Sequence, residues 1–235
     1  MLSSAPTANQ FFETFARYNQ DVWPVQLIMV ALALICIAFA MQQKAAVPLV
    51  ALALMWAWAG VVYHIVYFSE VSPVAYGFGA LFLTQAALFA HAAWRRRISI
   101  IVGRDARGVG GALIAAYALA GYPLVGIIAG HSYPAAPVFS VPCPVAIFTF
   151  GLMLWVREPI PYRLLIIPAL WSIIAGYGAF LWGVPQDIAL PLAAAASIAV
   201  AVFSNRESFT ARAQDVTVAA PSVSSALQRL TARRR

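Results

Sequence analysis

Long apolar runs, separated by short polar segments, make up most of the sequence. A helix that crosses a membrane needs roughly 20 mostly apolar residues, because the hydrocarbon core is about 30 Å thick and each residue rises about 1.5 Å. The runs that approach this length are 24–41, 45–68, 73–94, 109–130, 138–156, 164–183 and 188–203. The pattern therefore predicts an all-α integral membrane protein, a bundle of about seven transmembrane helices.

The fifth run, 138–156, is the least regular because it contains Pro142 and Pro144. Proline in a helix interior removes a backbone hydrogen bond and kinks or ends the helix. If this segment enters and leaves the membrane on the same side, the number of spans falls and the topology changes. Both arrangements stay open from the sequence.

The positions of lysine and arginine orient the bundle, because short cytoplasmic loops of membrane proteins are enriched in both residues. If the amino terminus lies outside, Arg17 is the single one of the 15 basic residues on the outer side. The inner side then holds Lys44, Arg95, Arg96, Arg97, Arg104, Arg107, Arg157, Arg163, Arg206, Arg212, Arg229, Arg233, Arg234 and Arg235. We therefore predict an external amino terminus and a cytoplasmic carboxyl terminus.

Composition agrees with this class and excludes others. Hydrophobic residues make up 63% of the chain and charged residues 10%, whereas an ordinary soluble domain carries about 25% charge. Two cysteines do not make a disulfide scaffold. The net charge of +7 is spread among apolar runs, which predicts contact with anionic lipid head groups on the cytoplasmic side and not with nucleic acid. We expect a multi-pass membrane protein.

Polar segments flank the apolar runs and divide the chain into an external amino-terminal segment (1–23), a transmembrane domain (24–203) and a basic tail (204–235). Aromatic residues recur at helical spacing in the first segment, at Phe11, Phe12, Phe15 and Tyr18. This spacing predicts a short amphipathic helix on the outer membrane surface. The tail is predicted to be cytoplasmic, and either disordered or weakly helical near 227–230.

Small residues predict two helix contacts within the bundle. In the run 73–94, a narrow stripe of small and polar residues consists of Gly77, Ala80, Thr84, Ala87 and His91. A second feature is the GxxxG pair of Gly126 and Gly130. Small side chains let helix backbones approach closely in lipid, so both features predict close packing against a neighbouring helix.

Polar and titratable groups converge near the outer end of the predicted bundle, and such a convergence at one mouth is where a ligand site forms. The predicted ligand-binding residues are His64, Tyr67, Glu70, His131 and Tyr133. A metal site there would use His64, His131 and Cys143, since imidazole and thiolate are ligands for soft metals. Each also has an ordinary structural explanation: an interfacial histidine bonded to a neighbour, or a small apolar cysteine in a proline-kinked turn.

The deepest polar groups, Thr84, Gln85 and Thr149, would line a transmembrane polar path for a neutral solute. No Asp, Glu, Lys or Arg falls in the middle of a predicted span, which disfavours ion-coupled transport. The sequence contains none of the motifs CxxC, HExxH, GxSxG or GxGxxG. It therefore assigns no cofactor and gives no support to the common hydrolase and nucleotide-binding classes.

Several long motifs carry a family resemblance. They are F-F-E-T-F-A-R-Y-N (11–19), W-A-W-A-G-V-V-Y-H-I-V-Y-F (56–68), P-V-A-Y-G-F-G-A-L-F-L-T-Q (73–85) and G-H-S-Y-P-A-A-P-V-F-S-V-P-C-P-V-A-I-F-T-F-G (130–151). Over residues 10–203 the chain resembles an uncharacterised family of small bacterial multi-spanning inner-membrane proteins, loosely labelled permease-like. The resemblance implies a bacterial cytoplasmic membrane and no established activity.

The leading functional expectation is a transporter-like or permease-like protein whose external mouth recognises a small solute or a cation. A membrane-embedded redox, haem or metal-binding protein that uses Cys143 or a histidine is the first alternative. An accessory subunit of a membrane complex is the second. A non-enzymatic protein is favoured over an enzyme, and a homo-oligomer is left open.

Overall fold

The computed structural model describes residues 6–157 and 159–219 of the chain. Within these ranges the chain forms nine α-helices, and its only β-type pairing is an isolated bridge between Ile100 and Val156. The helices are α1 Ala8–Asp21, α2 Trp23–Met41, α3 Ala46–Trp58, α4 Ala75–Arg95, α5 Ala106–Ala116, α6 Tyr122–Ile128, α7 Pro142–Leu154, α8 Ile166–Trp182 and α9 Ala189–Ala219. The all-α class predicted from the sequence is confirmed.

Two of the helices continue through π-helical turns. Helix α3 passes into the π-helix Ala59–Tyr67 and then the 3₁₀ turn Phe68–Glu70, and the π-helix Tyr117–Gly121 joins α5 to α6. Because a π-helix holds more residues per turn than an α-helix, it rotates the side chains that follow, and such turns are frequent at functional sites. The first π-helix contains His64, which is buried.

Five helical segments are long and apolar enough to cross a membrane, among the residues that the structure describes. They are Trp23–Met41, Ala46–Glu70, Ala106–Ile128, Tyr162–Trp182 and Pro185–Arg206. Each of the seven runs predicted from the sequence contains a helix. The runs that contain α4 and α7 are not among these five candidate spans. Helix α4 has 21 residues but carries the polar Gln85 and His91, and α7 has only 13 residues.

The helices run in alternating directions between two ends of the bundle. At one end Trp182, the last residue of α8, packs on Phe11 of α1. At the other end the segments after α4 and α7 pair at Ile100 and Val156, and Arg107 of α5 donates to the carbonyl of Val156. We call these the α1 end and the basic end, since the chain near the second carries Lys44, Arg95, Arg96, Arg97, Arg104, Arg107 and Arg157.

Helix α7 is the central helix of the bundle, and all of its residues except the half-buried Cys143 are buried. It packs on α3, α5, α8 and α9. Val141, just before α7, packs in the cluster around α1, and Trp155, just after it, donates to the carbonyl of Gly108 at the basic end. The helix itself covers about 20 Å. Non-helical segments before and after α7 therefore span the rest of the distance between the α1 end and the basic end.

Glycines allow the closest helix contacts. A Cβ atom on Gly60 would lie 3.1 Å from the carbonyl oxygen of Gly79, and a Cβ atom on Gly79 would lie 3.0 Å from that of Gly60. Helices α5 and α7 meet in the same way, since a Cβ on Gly151 would lie 2.9 Å from the carbonyl oxygen of Gly111. Only glycine permits this approach of backbone to backbone.

The predicted stripe of small residues does not pack within the bundle. Its members Gly77, Ala80, Thr84, Ala87 and His91 are all exposed. The buried face of α4 carries Gly79 and larger side chains such as Phe82. The prediction was wrong because small side chains suit an exposed apolar surface as well as a helix contact, whereas large rings fill the core. In the GxxxG pair, Gly126 packs on Gln186, but Gly130 has no neighbour near its Cβ position.

The amino-terminal helix forms as predicted, and its aromatic face packs on the end of the bundle. A capping box starts α1, since the Gln10 amide donates to the Thr7 hydroxyl and the Thr7 amide donates to the Gln10 side chain. Phe11, Phe15 and Tyr18 are 7%, 4% and 0% exposed, because they pack on the end of the bundle. The apolar face of α1 is therefore covered by protein.

The predicted tail begins as a continuation of the last helix. Helix α9 runs without interruption to Ala219, so the helix does not end near residue 204. The weak helix predicted near 227–230 lies outside the described residues.

Candidate functional site: a cavity around a buried histidine

A cavity of about 280 Å³ lies at the α1 end of the bundle. Its walls come from the π-helix after α3, the start of α4, the start of α7 and the C-terminal half of α8, and α1 covers it. Eight of its 20 lining residues are aromatic: Phe11, Phe15, Tyr63, Phe68, Phe78, Trp171, Tyr177 and Trp182. The other polar lining residues are His64, Ser72, Cys143 and Asp187. We call this space the His64 cavity.

His64 is fully buried, yet neither ring nitrogen has a hydrogen-bond partner in the part of the chain that the structure describes. Aromatic rings enclose the imidazole, with ring centres 4.7 Å away for Phe82, 5.1 Å for Trp171, 5.2 Å for Tyr63 and 5.6 Å for Phe78. Buried polar groups are nearly always bonded, so an unbonded one needs an explanation such as a ligand, water or ion. This makes His64 the central residue of the candidate site.

A buried carboxyl group lies at a second polar point of the lining. Helix α8 ends at Gly183, whose φ of +70° favours glycine, and the 3₁₀ turn Pro185–Ile188 leads the chain into α9. Asp187 is 4% exposed and accepts a 2.5 Å hydrogen bond from the Tyr122 hydroxyl. The Cys143 thiol interacts with the same carboxyl group. Asp187 therefore links the starts of α6, α7 and α9.

Helix α1 forms the roof of the His64 cavity through stacked rings. Phe11 stacks on Trp182 with ring centres 4.2 Å apart, and Phe15 stacks on Tyr63 at 5.4 Å. The Trp182 indole N–H donates to the carbonyl of Pro6 at 2.9 Å. These contacts join α1 to the π-helix that follows α3 and to the end of α8. The cavity therefore stays covered only while α1 packs on the bundle.

Tyr18 anchors the C-terminal half of α1 on the same face as Phe11 and Phe15. It is fully buried, accepts a hydrogen bond from the Trp58 indole at 2.8 Å and donates to the carbonyl of Ser140 at 3.1 Å. Burial raises the pKa of Tyr18 to about 12. The hydroxyl therefore keeps its proton near neutral pH and remains a donor to Ser140.

Asn19 ties the loop between α6 and α7 to α1, and its removal should loosen that loop. Its side-chain amide donates to the carbonyls of Pro134 at 2.6 Å and Ala136 at 2.7 Å. In Asn19→Ala these carbonyls lose their donor, which should cost about 1–3 kcal/mol of local stability. We expect faster amide hydrogen exchange in 130–141, with the exposed Asn9→Ala as the matched control. Unchanged exchange in Asn19→Ala would contradict this anchoring role.

The predicted metal site does not assemble. His64 and Cys143 both line the His64 cavity, but His131 lies outside it and packs on Phe12 with ring centres 4.6 Å apart. In the described ranges, no group of three His, Cys, Asp or Glu side chains could hold a metal ion. The physical reason is the loop path, since Asn19 holds the loop that carries His131 against α1.

The other residues predicted to bind ligand belong to a surface network with α1. The Tyr67 hydroxyl donates to Asp21 at 2.9 Å, and Arg17 lies over the Tyr67 ring and pairs with Glu70 at 2.6 Å. The hydrogen bond with Glu70 raises the pKa of Arg17. Tyr133 is 52% exposed and donates to a backbone carbonyl of α1. None of these residues lines the His64 cavity.

The predicted transmembrane polar path is not continuous in this structure. Thr84 is exposed and bonds to a carbonyl of its own helix. Gln85 is buried and donates to the carbonyl of Leu164, while the buried Thr149 accepts a hydrogen bond from the Trp56 indole. None of the three predicted path residues lines the His64 cavity.

Sequence reasoning missed several residues of the cavity. Asp187 is not among the residues predicted for the site, although Gly183 and Pro185 mark a tight turn that could direct it inward. Trp171 and Phe78 gave no signal, because an aromatic ring deep in an apolar helix is as compatible with lipid as with a cavity wall.

Comparison with known proteins gives a family and no activity. Residues 8–214 match the family described as "Family of unknown function (DUF6064)". This range includes every lining residue of the His64 cavity except Pro6. No curated protein and no solved structure matches the chain.

Proposed function

Because the chain belongs to the DUF6064 family of unknown function, we propose a function from the cavity itself: the protein binds a small molecule in the His64 cavity of a membrane-embedded helix bundle. The observation that carries this proposal is the buried imidazole without a partner. A buried polar group left unbonded costs about 1–3 kcal/mol. A bound molecule that donates to the ring or accepts from it would remove that cost.

The shape and lining of the cavity support a small-molecule site. Such sites are concave and mostly apolar, with a few polar groups that fix orientation, and their volumes begin at about 300 Å³. The His64 cavity, at about 280 Å³, has aromatic walls and a few polar groups, among them His64 and Asp187. Its size favours a small ligand, or the head of a longer molecule.

Binding is better supported than passage through the bundle. The permease-like activity expected from the sequence would require a path from the cavity to the basic end. Beside His64, the rings of Trp56 and Phe82 pack 4.4 Å apart, and both side chains are fully buried. Trp56 is also bonded to Thr149 of the central helix α7. Transport would therefore need a second conformation in which these contacts separate.

We also propose that the α1 end faces outward and that seven helical segments cross the membrane. Helices α4 and α7 alternate in direction with their neighbours. The chain segments that follow these two helices pair with each other at Ile100 and Val156. Both observations support α4 and α7 as membrane-crossing segments. Support for the orientation comes from the basic residues, which collect at the end opposite α1. The His64 cavity would then lie near the external surface.

Cysteine labelling tests this orientation. In a protein carrying Cys36→Ala and Cys143→Ala, we introduce Ser132→Cys in the exposed loop at the α1 end, or Arg97→Cys at the basic end. A membrane-impermeant thiol reagent added to intact cells should label the first variant and spare the second until the cells are opened. The reverse pattern, or equal labelling of both variants, would contradict the proposed orientation.

The binding proposal is tested by what the purified protein carries. Small molecules released by denaturation are quantified by mass spectrometry for the wild-type protein, His64→Phe and His131→Phe. We expect one species at near-stoichiometric amount in the wild type and in His131→Phe, whose histidine lies outside the cavity, and its loss in His64→Phe. Equal recovery from all three proteins, including no recovery at all, would overturn the proposal.

A further inference from the structure

We infer that the ligand of the His64 cavity is an uncharged, membrane-dissolved molecule with a flat ring that bears hydrogen-bonding oxygens, the chemistry shared by quinones and phenols. We further infer that it enters sideways between α4 and α8. This inference rests on the proposed binding function and names the class of molecule that is bound.

The mouth of the cavity opens on an apolar side of the bundle. The most exposed lining residues are Tyr177 at 71%, Val74 at 56% and Leu181 at 48%. Tyr177 and Leu181 lie on the outward face of α8, within the candidate span Tyr162–Trp182. In a membrane this surface contacts hydrocarbon, so a molecule dissolved in the bilayer can reach the cavity without crossing water.

The walls fit a flat ring. Tyr63, Phe78 and Trp171 line the cavity, and each meets the His64 imidazole at a steep angle, between 64° and 80°. Aromatic rings attract one another in offset-stacked and edge-to-face arrangements. A planar ligand ring can stack on the faces of these side chains or contact their edges, whereas an alkyl chain gains only apolar contact area.

The polar groups of the lining fit oxygens on such a ring. A neutral imidazole offers one N–H donor and one nitrogen acceptor, and in His64 both are unused by the described residues. The buried indole nitrogen of Trp171 has no partner among the described residues either, so its N–H can also serve a ligand. A quinone oxygen can accept from His64, and a phenolic hydroxyl can donate to it or accept from it.

The charges around the cavity favour an uncharged ligand. Among the described lining residues there is no lysine or arginine to pair with an anion. The one carboxyl group, Asp187, is already engaged by the Tyr122 hydroxyl and the Cys143 thiol. A cation would have to compete with both. Burial of an unpaired charge is costly, which leaves a neutral hydrogen-bonding head as the best match.

The test uses quenching of tryptophan fluorescence by a fully substituted benzoquinone with a ten-carbon tail, with the protein in phosphatidylcholine nanodiscs. Trp171 and Trp182 line the cavity, so bound quinone should add a saturable component to the linear quenching by quinone in the lipid. His64→Phe keeps every tryptophan and should weaken this component about tenfold or more, which corresponds to loss of about one hydrogen bond. His131→Phe should leave it unchanged.

Competitors with the same ten-carbon tail identify the head that the cavity accepts. A decyl-substituted phenol should displace the quinone, whereas decanol and decyltrimethylammonium should not. If the ammonium compound displaces the quinone at least as strongly as the phenol does, the inference that the ligand is uncharged is overturned. If decanol displaces the quinone as strongly as the phenol does, the tail alone binds, and the inference that the ligand carries a flat ring is overturned.

Variants at the mouth test the route. Ile174 lines the cavity, whereas its neighbour Ile173 is 69% exposed and does not. Ile174→Trp should slow the onset of saturable quenching about tenfold or more, by the crowding of a larger side chain at the entrance, and Ile173→Trp should not. Equal onset rates in both variants would overturn entry between α4 and α8.

The two proposals fail in distinguishable ways. If the purified protein carries a molecule that depends on His64 but the quinone quenches wild-type protein and His64→Phe equally, the ligand class is wrong and the binding function stands. If recovery of bound molecules from the purified wild-type protein and from His64→Phe is equal, the binding function itself fails.

Discussion

Replacement of His64 by phenylalanine should weaken ligand binding about tenfold or more and at the same time make the empty protein more stable. Phenylalanine keeps a planar ring among Phe82, Trp171 and Tyr63, so the ring contacts of His64 are retained. It removes two buried nitrogens that have no partner among the described residues. Relief of that penalty should raise the free energy of unfolding by about 1–3 kcal/mol.

The stability effect is measured by denaturant or thermal unfolding of ligand-free protein in detergent, with His131→Phe as the control. His131 is half-buried next to Phe12 and has one unpartnered buried ring nitrogen, Nδ1, against two in His64, so its replacement should raise stability by less than that of His64. A functional residue is expected to be needed for binding and to lower the stability of the empty protein. If His64→Phe is destabilised instead, the imidazole is bonded within the protein and the argument from an unpartnered group fails.

Substitution of Gly111 by alanine should disrupt the packing of α5 on the central helix and cause a large loss of stability. Its Cβ would lie 2.7 Å from the carbonyl oxygen of Gly151, and closer still to the indole nitrogen of Trp155. That indole already donates to the carbonyl of Gly108. Backbone cannot move aside as a flexible side chain does, so we expect a loss of about 3 kcal/mol or more.

The neighbouring glycine supplies the control for this prediction. A Cβ on Gly110 would meet only Leu154, at an ordinary contact distance of 3.6 Å. Alanine stabilises a helix interior by up to about 1 kcal/mol relative to glycine, so Gly110→Ala should leave unfolding unchanged or raise its free energy. Equal stability of Gly110→Ala and Gly111→Ala in the same detergent would contradict the glycine contact between α5 and α7.

The sequence predicts the helices well because apolar runs of this length have few other solutions in a membrane. It also predicts that α1 is a helix and that His64 belongs to a candidate site. It cannot predict which face of α4 is buried, because the lipid and the protein core are both apolar and the same small residues suit either surface. Hydrophobic patterning therefore does not distinguish Gly77, which is exposed, from Gly79, which contacts Gly60.

The candidate site was predicted in part, and the errors come from contacts between distant parts of the chain. His64 and Cys143 share a cavity as expected, whereas His131 does not, because Asn19 bonds the loop that carries it. Asp187 enters the cavity because a tight turn leads from α8 into α9. Local sequence patterns do not encode such pairings, which depend on side chains more than 100 positions apart in the case of Asn19.

The most direct test of the central claim is a density map of the wild-type protein, purified with native lipid and reconstituted in nanodiscs. The binding proposal predicts non-protein density in the His64 cavity within hydrogen-bond distance of Nδ1 or Nε2 of His64, and its absence in His64→Phe prepared in the same way. A cavity that is empty, filled only by water or closed by its own side chains in the wild-type map would contradict the proposal.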